Sequence, residues 1–137
     1  MNVLVIGVFD LFHRGHVELL RRSSAMGDKV FVIVNGDKMT TEYKRKPWFS
    51  EVDRMEIVKS SKYVDEVVIS NEFDVKPYLE KFNIDVIVHG DDWGNSSYME
   101  QIKVNEKYLE DNAVRIEYLP YYEGISTSGL INEIKQG

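Results

Sequence analysis

The sequence contains no cysteine, which excludes a disulfide framework and any thiolate metal site. It has no apolar run near the roughly 18 residues that a membrane-spanning helix needs. No basic segment precedes an apolar stretch at its start, so neither a span nor a signal peptide is expected. An excess of positive charge is missing as well: 17 Lys and Arg against 23 Asp and Glu give a net charge of −6. That balance argues against a long nucleic-acid or anionic-membrane footprint, both of which need a basic face. A small anion is still within reach of local Lys, Arg and helix-start amides. A soluble, cytoplasmic protein is the expectation.

What is present is enough for one core. The 137 residues, 43% of them hydrophobic, suit a single domain spanning 1–137. Short β-branched runs at Asn2–Val8, Lys29–Asn35, Glu66–Ser70, Asp85–His89 and Arg115–Leu119 read as strands. Their near-continuous apolar character suits a parallel sheet covered on both faces. Between and after them, His16–Met26, Ser50–Lys62, Asp74–Phe82, Tyr98–Asn112 and Ser128–Gln136 read as helices, with Ser50 and Asp53 resembling a capping box. The alternation predicts an α/β fold: one doubly wound, five-stranded parallel sheet with helices on both faces, Rossmann-like. Ligands in such sheets bind outside the carboxyl ends of the strands, where strand order reverses. Three segments break the alternation there: Gly36–Phe49, Gly90–Ser97 and Leu119–Ser126.

The first strand runs into Gly7-Val8-Phe9-Asp10-Leu11-Phe12-His13-Arg14-Gly15-His16. A strand, a turn and a helix start make an anion site from free amides and the positive dipole end. Two imidazoles there can donate hydrogen bonds to a phosphate whose charge grows during displacement. Gly15 lets the backbone approach a ligand closely. A lone His at a helix start is more often a cap, but two of the chain's three His at one turn favour function. Zinc is disfavoured, because no further ligands have matching spacing. Asp10 can orient this turn, bind a substrate group or simply form an Asx turn. His89, ending an apolar strand, reads as a packing residue.

These residues resemble the G-x-F-D-x-x-H-x-G-H signature of the cytidylyltransferase branch of the HxGH nucleotidyltransferases. The resemblance continues through Gly90-Asp91-Asp92-Trp93 and Glu123-Gly124-Ile125-Ser126-Thr127-Ser128, so it covers nearly the whole chain. The short length and the GDDW element are most similar to the glycerol-3-phosphate cytidylyltransferases. The resemblance implies in-line attack of a phosphate oxygen on the α-phosphorus of CTP, without a covalent enzyme intermediate. It implies catalytic roles for His13, His16 and Lys46, the last on a loop over the phosphates. Nucleotide binding falls to Val8, Phe9, Asp10, Gly15, Arg54, Gly90, Asp91, Asp92, Gly124, Ile125, Ser126, Thr127 and Ser128. Lys44, Trp93 and Tyr121 are candidates for substrate contact, and Arg45 reads as solvent-facing.

Mg²⁺ is expected with the triphosphate, to neutralise the departing pyrophosphate, with no protein ligand assignable. The expected partners are CTP and a small phosphorylated substrate, glycerol 3-phosphate first, with choline phosphate and ethanolamine phosphate as alternatives. Neither nucleic acid nor membrane is expected, and the family resemblance implies a homodimer. An ATP-dependent adenylyltransferase and a weakly active nucleotide-binding regulator are the rival readings. One departure stands out: the family's closing motif begins Arg-Thr, and here those positions are Tyr121 and Tyr122.

Overall fold

The structure, a computed structural model, describes residues 1–90, 95–120 and 127–136, with backbone alone at 95–97 and 128. Five strands, β1 (Asn2–Gly7), β2 (Lys29–Asn35), β3 (Glu66–Ser70), β4 (Val86–Gly90) and β5 (Arg115–Leu119), form one sheet. All pairings are parallel and the order is β3-β2-β1-β4-β5. The chain builds outward from β1 through β2 to β3, then returns to lay β4 and β5 on the other side. Strand order therefore reverses between β1 and β4, and the crevice beyond their carboxyl ends is where such sheets bind ligands.

Alternation along the strands divides the core into two layers. Val3, Val5, Val32, Val34, Val86 and Val88 face Leu20 of α1 (Arg14–Ser24) and Val58 of α3 (Glu51–Lys59). Leu4, Phe31, Ile33 and Ile87 face Leu79 of α4 (Lys76–Lys81) and Tyr98 of α5 (Asn95–Gln101), with Tyr108 and Leu109 of α6 (Glu106–Asp111) packed beside them. Helices thus cover both faces, as the continuous apolar strands require.

Three helical expectations change. The stretch predicted as one helix over Tyr98–Asn112 is two, α5 and α6, because Lys103 takes a left-handed φ of 63°. Asn105 then restarts the chain as an N-cap, its side chain accepting from Tyr108 N at 2.8 Å. The polar stretch after β2 contains a helix, α2 (Asp37–Tyr43), that the pattern did not show. Its exposed amides are satisfied from a distance: Asn71 Oδ1 accepts from Met39 N at 3.1 Å and Glu51 from Asp37 N at 2.8 Å. Finally, α1 starts at Arg14, with His13 itself as N-cap. Ser50 caps α3 through Asp53 N at 3.2 Å, one half of the expected box. The last helix, α7 (Thr127–Gln136), returns to the β1 edge.

Candidate active site

The turn after β1 is held in a conformation that two bulky residues rarely adopt: Phe9 and Leu11 have φ of 56° and 49°. Such positions cost about 1–3 kcal/mol each and persist where the surroundings over-determine them. Phe9 is buried, and its ring lies 5.5 Å from that of His16. Phe12 stacks on the same imidazole at 5.2 Å.

The two histidines fix each other's chemistry. His13 Nδ1 accepts from Gly15 N at 2.9 Å, and His16 Nδ1 accepts from His13 N at 3.1 Å. A ring nitrogen that accepts carries no proton, so each neutral imidazole bears its hydrogen on Nε2. Burial, aided by the charges of His13 and Lys44 and opposed by Asp10, pushes His16 from 6.5 down to about 3. Burial also lowers His13. Near neutral pH the site therefore offers two uncharged Nε2–H donors at the start of α1. Thr127 Oγ1, at the head of α7, sits 3.3 Å from His13 Nε2 and donates to the Asp10 carbonyl at 3.1 Å.

Asp10 is a tie between segments. Its side chain, 1% exposed, accepts from Phe49 N at 2.9 Å, Trp48 N at 2.8 Å and Arg45 Nη1 at 2.8 Å. Burial opposes its charge, yet the Trp48 and Phe49 amides and the Arg45 guanidinium outweigh that and hold its carboxyl below 3.8. The structure thus gives Asp10 the orienting role and leaves its oxygens engaged.

These groups border a cavity of about 720 Å³ at the carboxyl edge of the sheet, within the usual range for a small-molecule site. Of the expected residues, Val8, Phe9, Asp10, His13, Gly15, His16, Lys44, Gly90 and Thr127 line it together. On its far side His89 stacks on Tyr98 at 3.6 Å, a packing histidine as expected. The Tyr98 hydroxyl, which burial drives upward in pKa, is buried without a hydrogen-bond partner among the described residues. Nothing in the local sequence pattern singled out this tyrosine.

Three cationic assignments change. Arg54 is 0% exposed and does not reach the cavity as a ligand contact would. Its guanidinium donates to the carbonyls of Val8 and Asn35 at 2.7 Å each, to that of Phe49 at 3.0 Å, and to Asp37 at 2.7 Å. It therefore fastens the ends of β1 and β2 to α2 and α3. Lys46 is exposed and lies off the cavity wall. Arg45, read as solvent-facing, lines the cavity instead. Asp91, Asp92, Trp93, Tyr121, Gly124, Ile125 and Ser126 lie outside the described residues, and so does the side chain of Ser128.

Known proteins resemble this chain along nearly its whole length. The chain is 35% identical over 134 residues to the glycerol-3-phosphate cytidylyltransferase of Bacillus subtilis (strain 168), covering 97% of this chain and 96% of that protein. It is equally 35% identical over 134 residues to the FAD synthase of Methanosarcina barkeri (strain Fusaro / DSM 804), covering 97% and 95%. Among solved structures it is similar to the lipopolysaccharide core biosynthesis protein from Thermoplasma volcanium GSS1, with a TM-score of 0.75 and 26% identity over 90% of this chain and 98% of that one. The description Cytidylyltransferase-like matches residues 4–133, and the chain belongs to that family.

Proposed function

We propose that this protein transfers CMP from CTP to the phosphate of a small phosphorylated alcohol, with glycerol 3-phosphate as the leading acceptor. The observation that carries the reading is the pair of neutral Nε2–H donors, His13 and His16, at a helix start on the cavity wall. A phosphate oxygen of the acceptor attacks the α-phosphorus. The bond to the bridging oxygen of the β-phosphate breaks, and pyrophosphate leaves with that electron pair. Charge grows on the α-phosphate oxygens during this displacement, and fixed donors aimed at it act without reorganisation. Neutral imidazoles serve as donors here without needing protonation, so the reaction is compatible with neutral pH.

In this reading Gly15 and the α1 amides approach the phosphates, Thr127 and Ser128 serve from the start of α7, and Lys44 adds charge. By the resemblance, Gly90, Asp91, Asp92, Gly124, Ile125 and Ser126 would serve the nucleotide, and Trp93 and Tyr121 the acceptor. Mg²⁺ would neutralise charge on the departing pyrophosphate. Among the described residues no three His, Asp or Glu side chains converge, and the Asp10 oxygens are engaged.

A second reading, ATP-dependent adenylyl transfer, is favoured by the equal identity to an FAD synthase. Calorimetric titration with each nucleoside triphosphate in the presence of Mg²⁺ separates the two. We expect CTP to bind at least several-fold more tightly than ATP, UTP or GTP. A clear preference for ATP would move the protein to adenylyl transfer.

A further inference from the structure

We infer that Arg45 is the guanidinium that clamps the polyphosphate of the nucleotide. The inference rests on the reading of the cavity as a nucleotide site, and it is carried by how the two edges of this side chain are used.

One edge is anchored. Nη1 donates to Asp10 at 2.8 Å and to the Lys46 carbonyl at 3.2 Å. Asp10 is almost fully buried and is itself held by the amides of Trp48 and Phe49, so the guanidinium is positioned before any ligand arrives. The other edge, Nε–H and Nη2–H, makes no hydrogen bond or ion pair among the described residues. Those two parallel N–H groups form the fork that matches two oxygens of one phosphate. The side chain is 26% exposed and lines the cavity that holds His13 and His16. The main-chain carbonyl of Asp10 also accepts from Thr127, whose hydroxyl meets His13. Arg45 and the donor histidine are therefore tied to one short network.

The other cations near the turn do not serve this purpose. Arg54 has four donors committed beneath the site and no exposure. Lys46 lies off the cavity wall. Lys44 lines the cavity but brings a point charge on an exposed, flexible stem rather than a fork. An arginine pre-held by a buried carboxylate loses less freedom on binding than a lysine on an exposed stem.

The test is calorimetric titration of the full chain with inorganic tripolyphosphate, which has no base, and in parallel with Mg²⁺–CTP. Arg45→Gln keeps an amide that can donate to Asp10, Arg45→Lys keeps the charge but removes the fork, and Lys38→Ala, an exposed position on α2, is the control. Melting curves establish that each variant is folded. We expect Arg45→Gln to weaken tripolyphosphate about tenfold or more, since a hydrogen-bonded charge on phosphate is worth that much. Arg45→Lys should recover only part of the loss, and Lys38→Ala should match wild type. Tripolyphosphate affinity in folded Arg45→Gln and Arg45→Lys within about twofold of wild type would overturn the inference, as would a wild-type protein that binds no tripolyphosphate. A protein that binds ATP in preference to CTP, yet loses tripolyphosphate in Arg45→Gln, would sink the proposed function and leave this inference standing.

Discussion

His13 and His16 share a division of labour between their ring nitrogens: the Nδ1 atoms take backbone N–H groups, which leaves each hydrogen on Nε2, and that of His13 meets the Thr127 hydroxyl at 3.3 Å. Nitrogen-15 spectra should show both rings as the Nε2–H tautomer at neutral pH, with His16 still neutral well below 6.5. A His16 ring that protonates near its ordinary value would contradict the geometry. The sign for stability follows. Above 6.5 the ring is neutral in both folded and unfolded chains. Below 6.5 the unfolded chain gains a proton that the folded site refuses until about 3, so stability is lost as pH falls through that window. Denaturation measured on either side of 6.5 should show a shallower loss in His16→Gln than in wild type. His13→Ala and His16→Ala should each lower turnover about 10²–10³-fold while remaining folded. These two residues were legible because paired imidazoles at a strand-to-helix turn are uncommon outside function. Arg45 and Lys46 were not separable by sequence. Neighbours in a basic loop have no periodicity to say which turns inward, and the answer lay in Asp10, 35 residues away from Arg45.

At the scale of elements, Arg54 joins β1, β2, α2 and the start of α3 through four hydrogen bonds. Arg54→Met would leave the Val8, Asn35 and Phe49 carbonyls without this donor, each buried unmet group costing about 1–3 kcal/mol. We expect its unfolding free energy in urea to drop by at least about 2 kcal/mol, with tripolyphosphate affinity of the folded protein kept. Normal stability with lost affinity would return Arg54 to the phosphates. The five strands were readable because both faces of the sheet are covered, which forces continuous apolar runs. The helix α2 was hidden because its caps, Asn71 and Glu51, come from distant segments. The break between α5 and α6 was hidden because apolar spacing runs on across Lys103, where only the backbone changes hand.

Over the whole molecule, the strand order sets the site. Reversal between β1 and β4 opens a crevice, the turn after β1 places two donors at its edge, and the basic loop and the head of α7 close on it through Asp10 and Thr127. This arrangement was predictable from the alternation of elements and the histidine turn together, whereas the acceptor was not, since acceptor contacts come from side chains that no pattern orders. The central claim is nucleotidyl transfer at His13 and His16, and its most direct test is pyrophosphate release with Mg²⁺ and CTP across a panel of phosphorylated alcohols and amino alcohols. The account predicts release that requires both CTP and a phosphorylated acceptor, greatest with glycerol 3-phosphate and largely lost in folded His13→Ala and His16→Ala. Release that persists undiminished in both variants, or no release with CTP for any acceptor in the panel, would contradict it.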